Sequence, residues 1–156
     1  MDVWPRRIGV ALGLLSLGAF CSAARAALSG DAGSVRADQL ELKGTIALTH
    51  FSRFELQTIS TDNGLVVREF LTPAGAVFAV SWSGPVMPDL RRLLGVHYAA
   101  YSTALRQLQQ PGLKRSLRLE TGDFVFENGG HLRAFSGRAF VSRLWPQGLA
   151  IGDLPW

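Results

Sequence analysis

The sequence predicts an α+β fold, with two antiparallel β-meanders and a central helical segment packed on the sheet. Three observations lead there. Runs of period-two alternation, broken by the turns Asp62-Asn63-Gly64, Pro73-Ala74-Gly75 and Thr121-Gly122, fill two stretches of the chain. Between them, Leu90, Leu93, Leu94, His97, Tyr98, Tyr101, Leu105 and Leu108 recur at helical three-and-four spacing. The 156 residues are 47% hydrophobic and 18% charged, which suits one packed core and excludes a disordered chain. Strand runs segregated from a helical run belong to α+β architecture.

The amino terminus is read as a targeting signal rather than as part of that fold. Arg6 and Arg7 form a positive region, and an apolar run of 13 residues follows from Ile8 to Phe20. Ala24-Arg25-Ala26 then matches the small-residue pattern before a signal-peptidase cut, completing the order of a secretory signal peptide. The run is too short to span a bilayer, which takes about 20 residues. A lipoprotein cut before Cys21 is disfavoured because Phe20 stands where a small residue is wanted. Residues 1–26 are thus expected to be a cleavable signal and 27–156 a single globular domain, periplasmic or extracellular, with no transmembrane segment in the mature chain. Removing Asp2, Arg6, Arg7 and Arg25 leaves 130 residues with 13 basic against 11 acidic side chains, a net charge of +2, and no cysteine.

Along the mature chain, Ser34 is placed to cap a short helix from Val35 to Leu42, ended by Gly44. Ile46, Leu48, Phe54 and Leu56 are expected to share one face of a long strand, bent near His50 to Ser52. Asp62-Asn63-Gly64 makes a tight turn, because Asn and Gly tolerate positive φ angles. A strand from Leu65 to Leu71 follows, then the turn at Pro73. Val77 to Trp82 is apolar at every second and most intervening positions, so it is expected at the centre of the sheet. Pro88-Asp89 starts the helical segment, Gly95 can divide it, and Pro111-Gly112 ends it. Ser116–Glu120, Asp123–Glu127 and His131–Phe135 form the second meander, with a turn at Asn128-Gly129-Gly130.

The search for chemistry excludes more than it finds. No serine carries the G-x-S-x-G flanks of a nucleophile elbow, and no phosphate-cradling glycine motif is present. His50, His97 and His131 lack zinc spacing, so neither a metal site nor any cofactor is expected. His50 and His97 fall at inward positions and are expected to be packed and hydrogen-bonded. His131 follows the glycine turn, where Glu127 and Asp123 could orient it as a general base. The basic residues are few and scattered, with Arg91-Arg92 and Lys114-Arg115 the main clusters, so nucleic acid is not expected as a partner.

Three runs carry a resemblance. They are Val67-Arg68-Glu69-Phe70 with Pro73-Ala74-Gly75, then Val77-Phe78-Ala79-Val80 with Trp82-Ser83-Gly84-Pro85, Met87-Pro88-Asp89-Leu90 and Leu93-Leu94-Gly95, and lastly Gly129-Gly130-His131, Arg133-Ala134-Phe135 and Gly137-Arg138-Ala139. From Ala27-Leu28 to about Gly148 the chain resembles a bacterial family of exported proteins catalogued as domain of unknown function 2844. The resemblance implies export in a Gram-negative bacterium and assigns no activity, cofactor or catalytic residue.

Two functions follow as expectations. The first is a non-catalytic module of the cell envelope that binds a small-molecule ligand or an envelope protein. Its site residues are drawn from Trp82, Met87, Tyr98, Tyr101 and Arg133, around the strand-to-helix turn at Ser83 to Met87 and the late hairpin. The alternative is a small hydrolase or transferase using His131 with Glu127 or Asp123. The balance leans away from an enzyme, because the second reading rests on one hairpin.

Overall fold

A computed structural model of the chain describes residues 28–30, 44–108 and 116–155. Both the signal expected over 1–26 and the helix expected from Val35 to Leu42 lie outside the described residues. Seven strands make up the fold: β1 (Thr45–His50), β2 (Glu55–Ser60), β3 (Val66–Leu71), β4 (Val77–Gly84), β5 (Ser116–Thr121), β6 (Phe124–His131) and β7 (Ala134–Val141). They join in one antiparallel sheet of order β1-β2-β3-β4-β7-β6-β5. The sequence left open whether the two expected meanders share a sheet, and they do. Pairing of β4 with β7, from Ala79 opposite Phe140 to Gly84 opposite Phe135, merges all seven strands into a single surface. β4 lies at its centre, as its apolar run predicts. Its Val80 and Trp82 serve one face, while Phe78 and Ala79 serve the other.

The helical segment covers the first face. Asp89 caps α1 (Leu90–Leu94), its carboxylate accepting the Arg91 and Arg92 backbone N–H groups at 2.9 and 3.3 Å. Gly95, at φ 52°, opens a single 3₁₀ turn before α2 (Tyr98–Gln107), so it does divide the helix. Tyr98, Tyr101, Ala104 and Leu108 then pack on Val67, Val80, Trp82, Phe124 and Phe126. Tyr101 meets Phe126 with ring centroids 4.6 Å apart. Among the described residues no helix is long and apolar enough to cross a membrane.

The opposite face is covered only in part. Phe54, Leu56, Phe70, Phe78, Val125 and Phe140 form a second apolar cluster, closed by Trp145, Leu149 and Leu154 from the carboxy-terminal segment. The Trp145 ring stands edge-on to Phe78 at 5.2 Å, and its N–H donates to the Leu149 carbonyl at 2.8 Å. Beyond this cap the face is polar, and none of the described helices packs on it.

Two local expectations are corrected. The stretch from Ile46 to Leu56 is a hairpin rather than one bent strand, with His50 directly opposite Glu55. The reversal places Ile46 and Leu48 on the helix face and Leu56 on the other. It also leaves His50 exposed, its side chain 67% accessible and 3.2 Å from Glu55, instead of packed. In the last hairpin the turn falls at Leu132-Arg133, where Arg133 has φ 65°, and the strand runs straight through Asn128-Gly129-Gly130. Gly130 is needed there for closeness, because a Cβ would run into the Ala134 carbonyl oxygen.

Candidate functional site

Residues paired across an antiparallel sheet project to the same side, so the register alone builds the open face. One row crosses it strand by strand: Thr58, Arg68, Ser81, Arg138, Glu127 and Arg118. The next row toward the late hairpin holds Ser60, Val66, Ser83, Ser136, Gly129 and Ser116. Those small side chains leave a hollow between β4 and β5, a cleft of about 460 Å³. Ser81, Ser83, Ser136, Arg138, Glu127 and Arg118 line it.

Glu127 is the electrostatic centre of this row. Its Oε1 accepts from Arg118 Nη1 and its Oε2 from Arg138 Nε, while the second Arg118 nitrogen reaches Glu120 at 3.3 Å. The Glu127 side chain is 22% exposed, so these ion pairs are screened less than surface pairs. Arg68 is half-buried on the far side of Ser81 and has no hydrogen-bond or ion-pair partner among the described residues. Ser81 is 2% exposed, and its hydroxyl likewise finds no partner among them. Strands lie about 4.8 Å apart, so Arg68 and Arg138 flank that hydroxyl from the two neighbouring strands. Three guanidinium groups, one carboxylate and an unsatisfied hydroxyl give the row an excess of donors and positive charge. Such a surface can hold acceptor groups of a ligand.

The residues expected from sequence fall in different places. Glu127 is on the cleft wall. His131 lies at the exposed end of β6, four residues or about 13 Å further along the strand, and its Nδ1 is 3.3 Å from the neighbouring Leu132 carbonyl. Asp123 precedes the other end of β6 and pairs with Arg143 at 2.6 Å. The structure does not bring His131 to Glu127 or Asp123. Trp82 points to the helix face, its ring 5.6 Å from Phe126, and the residue also borders the cleft. Tyr98 and Tyr101 belong to the helix–sheet interface, with Arg91 over the Tyr98 ring at 5.0 Å. Met87 is exposed in the loop before α1, and Arg133 is exposed in the last turn. The cleft residues Ser81, Arg118 and Arg138, and Arg68 beside them, carry no motif. Their only signal is a polar residue within each strand's period-two alternation, which acquires meaning once the strand order is known.

His97 is packed and hydrogen-bonded, away from the cleft. Its ring stacks on Phe124 at 5.1 Å, and its Nε2 lies 3.0 Å from the Ser29 hydroxyl. Burial lowers its pKa below the ordinary value; the Asp123 carboxylate pulls it partly back, and Arg143 pushes it slightly down. The folded state therefore prefers the neutral imidazole, and the unfolded chain binds the proton more readily. The stability this contributes is present above the ordinary histidine pKa of about 6.5 and is lost as pH falls through the lower folded value. Thermal melts between pH 7 and pH 5 should fall more steeply for the native chain than for His97→Gln; parallel curves would refute the coupling.

Among the described residues, no three His, Cys, Asp or Glu side chains group as metal ligands. Comparison with known proteins adds family membership alone. No curated protein and no solved structure matches the chain. The family model described as protein of unknown function (DUF2844) matches residues 24–154, and the chain belongs to that family.

Proposed function

We propose that this protein is an exported, non-catalytic binding module of the bacterial cell envelope, with a small-molecule ligand seated in the polar cleft on the open sheet face. Residues 1–26 act as the cleavable signal, and 27–156 form one domain in the periplasm or outside the cell. The observation that carries this reading is the row Arg68–Ser81–Arg138–Glu127–Arg118. Ser81, Arg138, Glu127 and Arg118 line one hollow, and Arg68 adjoins it from β3. Few convergent polar groups in a concave site are the usual means of fixing a ligand's orientation. The hydrolase or transferase alternative has no comparable support. Glu127 is held by two arginines, and His131 stands alone at a hairpin end.

Protein recovered from an osmotic-shock fraction should begin at Ala27 by amino-terminal sequencing. Titrated with a panel of small polar metabolites and followed by amide chemical shifts, it should respond at Ser81, Ser83, Gly129 and Ser136. Retention of residues 1–26 in the cytoplasm would refute the export reading. Shifts confined to the helix face, or absent throughout the panel, would refute the binding site.

A further inference from the structure

The charge pattern of the cleft specifies the class of ligand, an inference that rests on the binding role proposed above. Arg68, Arg138 and Arg118 bring three permanent positive charges to one row, against the single carboxylate of Glu127. Glu120 reaches only Arg118, at the edge strand. The arginine of the row with no partner among the described residues is Arg68, directly across from Ser81. There Ser81 borders the cleft and is 2% exposed, and its buried hydroxyl has no hydrogen-bond partner among the described residues. A buried hydroxyl left unpaired is costly, and an acceptor placed over it removes that cost.

We infer that the β4 edge of the cleft binds a small oxyanion, the carboxylate or phosphate group of a soluble ligand, between Arg138 on the cleft wall and Arg68 on the adjoining strand β3, beside Ser81. Guanidinium forks match the paired oxygens of both groups, and charge-assisted bonds to them are about twice as strong as neutral ones. Glu127 already shows the chemistry within the chain. Its two carboxylate oxygens are held by two different arginines, one of which, Arg138, would also face the ligand. Glu127 is thus an internal carboxylate that competes with the bound oxyanion for Arg138 and keeps the row from carrying three uncompensated charges. Burial of the Glu127 side chain between β5 and β7 fixes it in that position.

The test uses the processed chain, with succinate and inorganic phosphate as anionic probes and succinamide as the neutral counterpart of succinate. Amide shifts report both affinity and location. Succinate, phosphate or both should perturb Ser81, Ser83 and Ser136, the stronger of the two identifying carboxylate or phosphate as the preferred group. Arg68→Gln and Ser81→Ala should each weaken that binding, the former by about tenfold. Glu127→Gln should tighten it severalfold by removing the competing charge. Unchanged Phe124 and Phe126 amides confirm that each variant keeps its fold. Succinamide binding at the cleft as tightly as succinate, or anion binding indifferent to Arg68→Gln and Ser81→Ala, overturns the oxyanion assignment and leaves the binding module standing. Loss of affinity in Glu127→Gln overturns the competing role. No response at the cleft to any probe or to the wider metabolite panel overturns both the assignment and the module.

Discussion

Replacing Gly137 with valine is expected to lower the midpoint of thermal unfolding by about 10 °C. Gly137 sits on β7 opposite Trp82, on the helix face, at the point where the indole lies flat across the neighbouring strand. A Cβ there would stand 2.6 Å from the indole Cε2 and 2.7 Å from the Glu127 carbonyl oxygen, closer than real side chains come. Neither neighbour can retreat. The carbonyl belongs to the β6 ladder, and Trp82 is almost fully buried against Phe126. Trp82→Ala removes the other half of the contact and should itself cost about 3–5 kcal/mol through the cavity it leaves. The pair forms a double-mutant cycle. Gly137→Val together with Trp82→Ala should cost less than the sum, since the valine then enters space the indole vacated. Additive losses, or a Gly137→Val chain that melts with the native one, would show that the close approach is not what stabilises the β4–β7 junction.

The second large effect concerns the strap at Leu28–Gly30. Leu28→Ala is expected to cost about 3 kcal/mol, the middle of the range for a buried leucine. Leu28 is 1% exposed within the helix-side core. Its N–H donates to the Leu93 carbonyl at 3.1 Å, joining it to α1. Ser29 N–H donates to the Val77 carbonyl at 2.9 Å, and Val77 N–H returns to the Gly30 carbonyl at 3.0 Å. Three residues thus tie the helix to the start of β4, and the Ser29 hydroxyl adds the contact with His97. Hydrogen exchange separates local from global loss. In Leu28→Ala the Val77 amide should lose protection before the Trp82 amide does. Equal loss at both would mean the strap is no independent unit, and undiminished stability would mean that Leu28 is not a core residue in solution.

The elements set by local chemistry were legible in the sequence. Asn63-Gly64 turns because Gly64 adopts φ 82°, Asp89 caps α1 through its carboxylate, and Gly95 interrupts the helix with a positive φ. The both-sided apolar run of Val77 to Trp82 predicts a central strand, and the sheet order places it fourth of seven. The stripe of Tyr98, Tyr101 and Leu108 predicts the face that packs on the sheet. Errors arose where two local signals competed. Asn128-Gly129-Gly130 has turn chemistry, yet those glycines serve close backbone approach inside β6 and β7, while Leu132-Arg133 turns at the cost of a positive φ at Arg133. Ile46 and Leu56 fit a single alternation only if the chain does not reverse between His50 and Glu55, and it does.

Local sequence chemistry accounts for the helix with its cap and break, the central strand, and antiparallel strands with a helical segment packed on them. Each of these depends on residues within a few positions of one another. Only the tertiary structure decided that the strands share one sheet and that Arg68, Ser81, Arg138, Glu127 and Arg118 stand in one row. Arg68 and Arg138 are 70 positions apart in the chain and are brought to either side of Ser81 by the pairing of β4 with β3 and β7. Register fixes which side chains share a face, and register between distant strands is set by the packing of the whole sheet rather than by any local run.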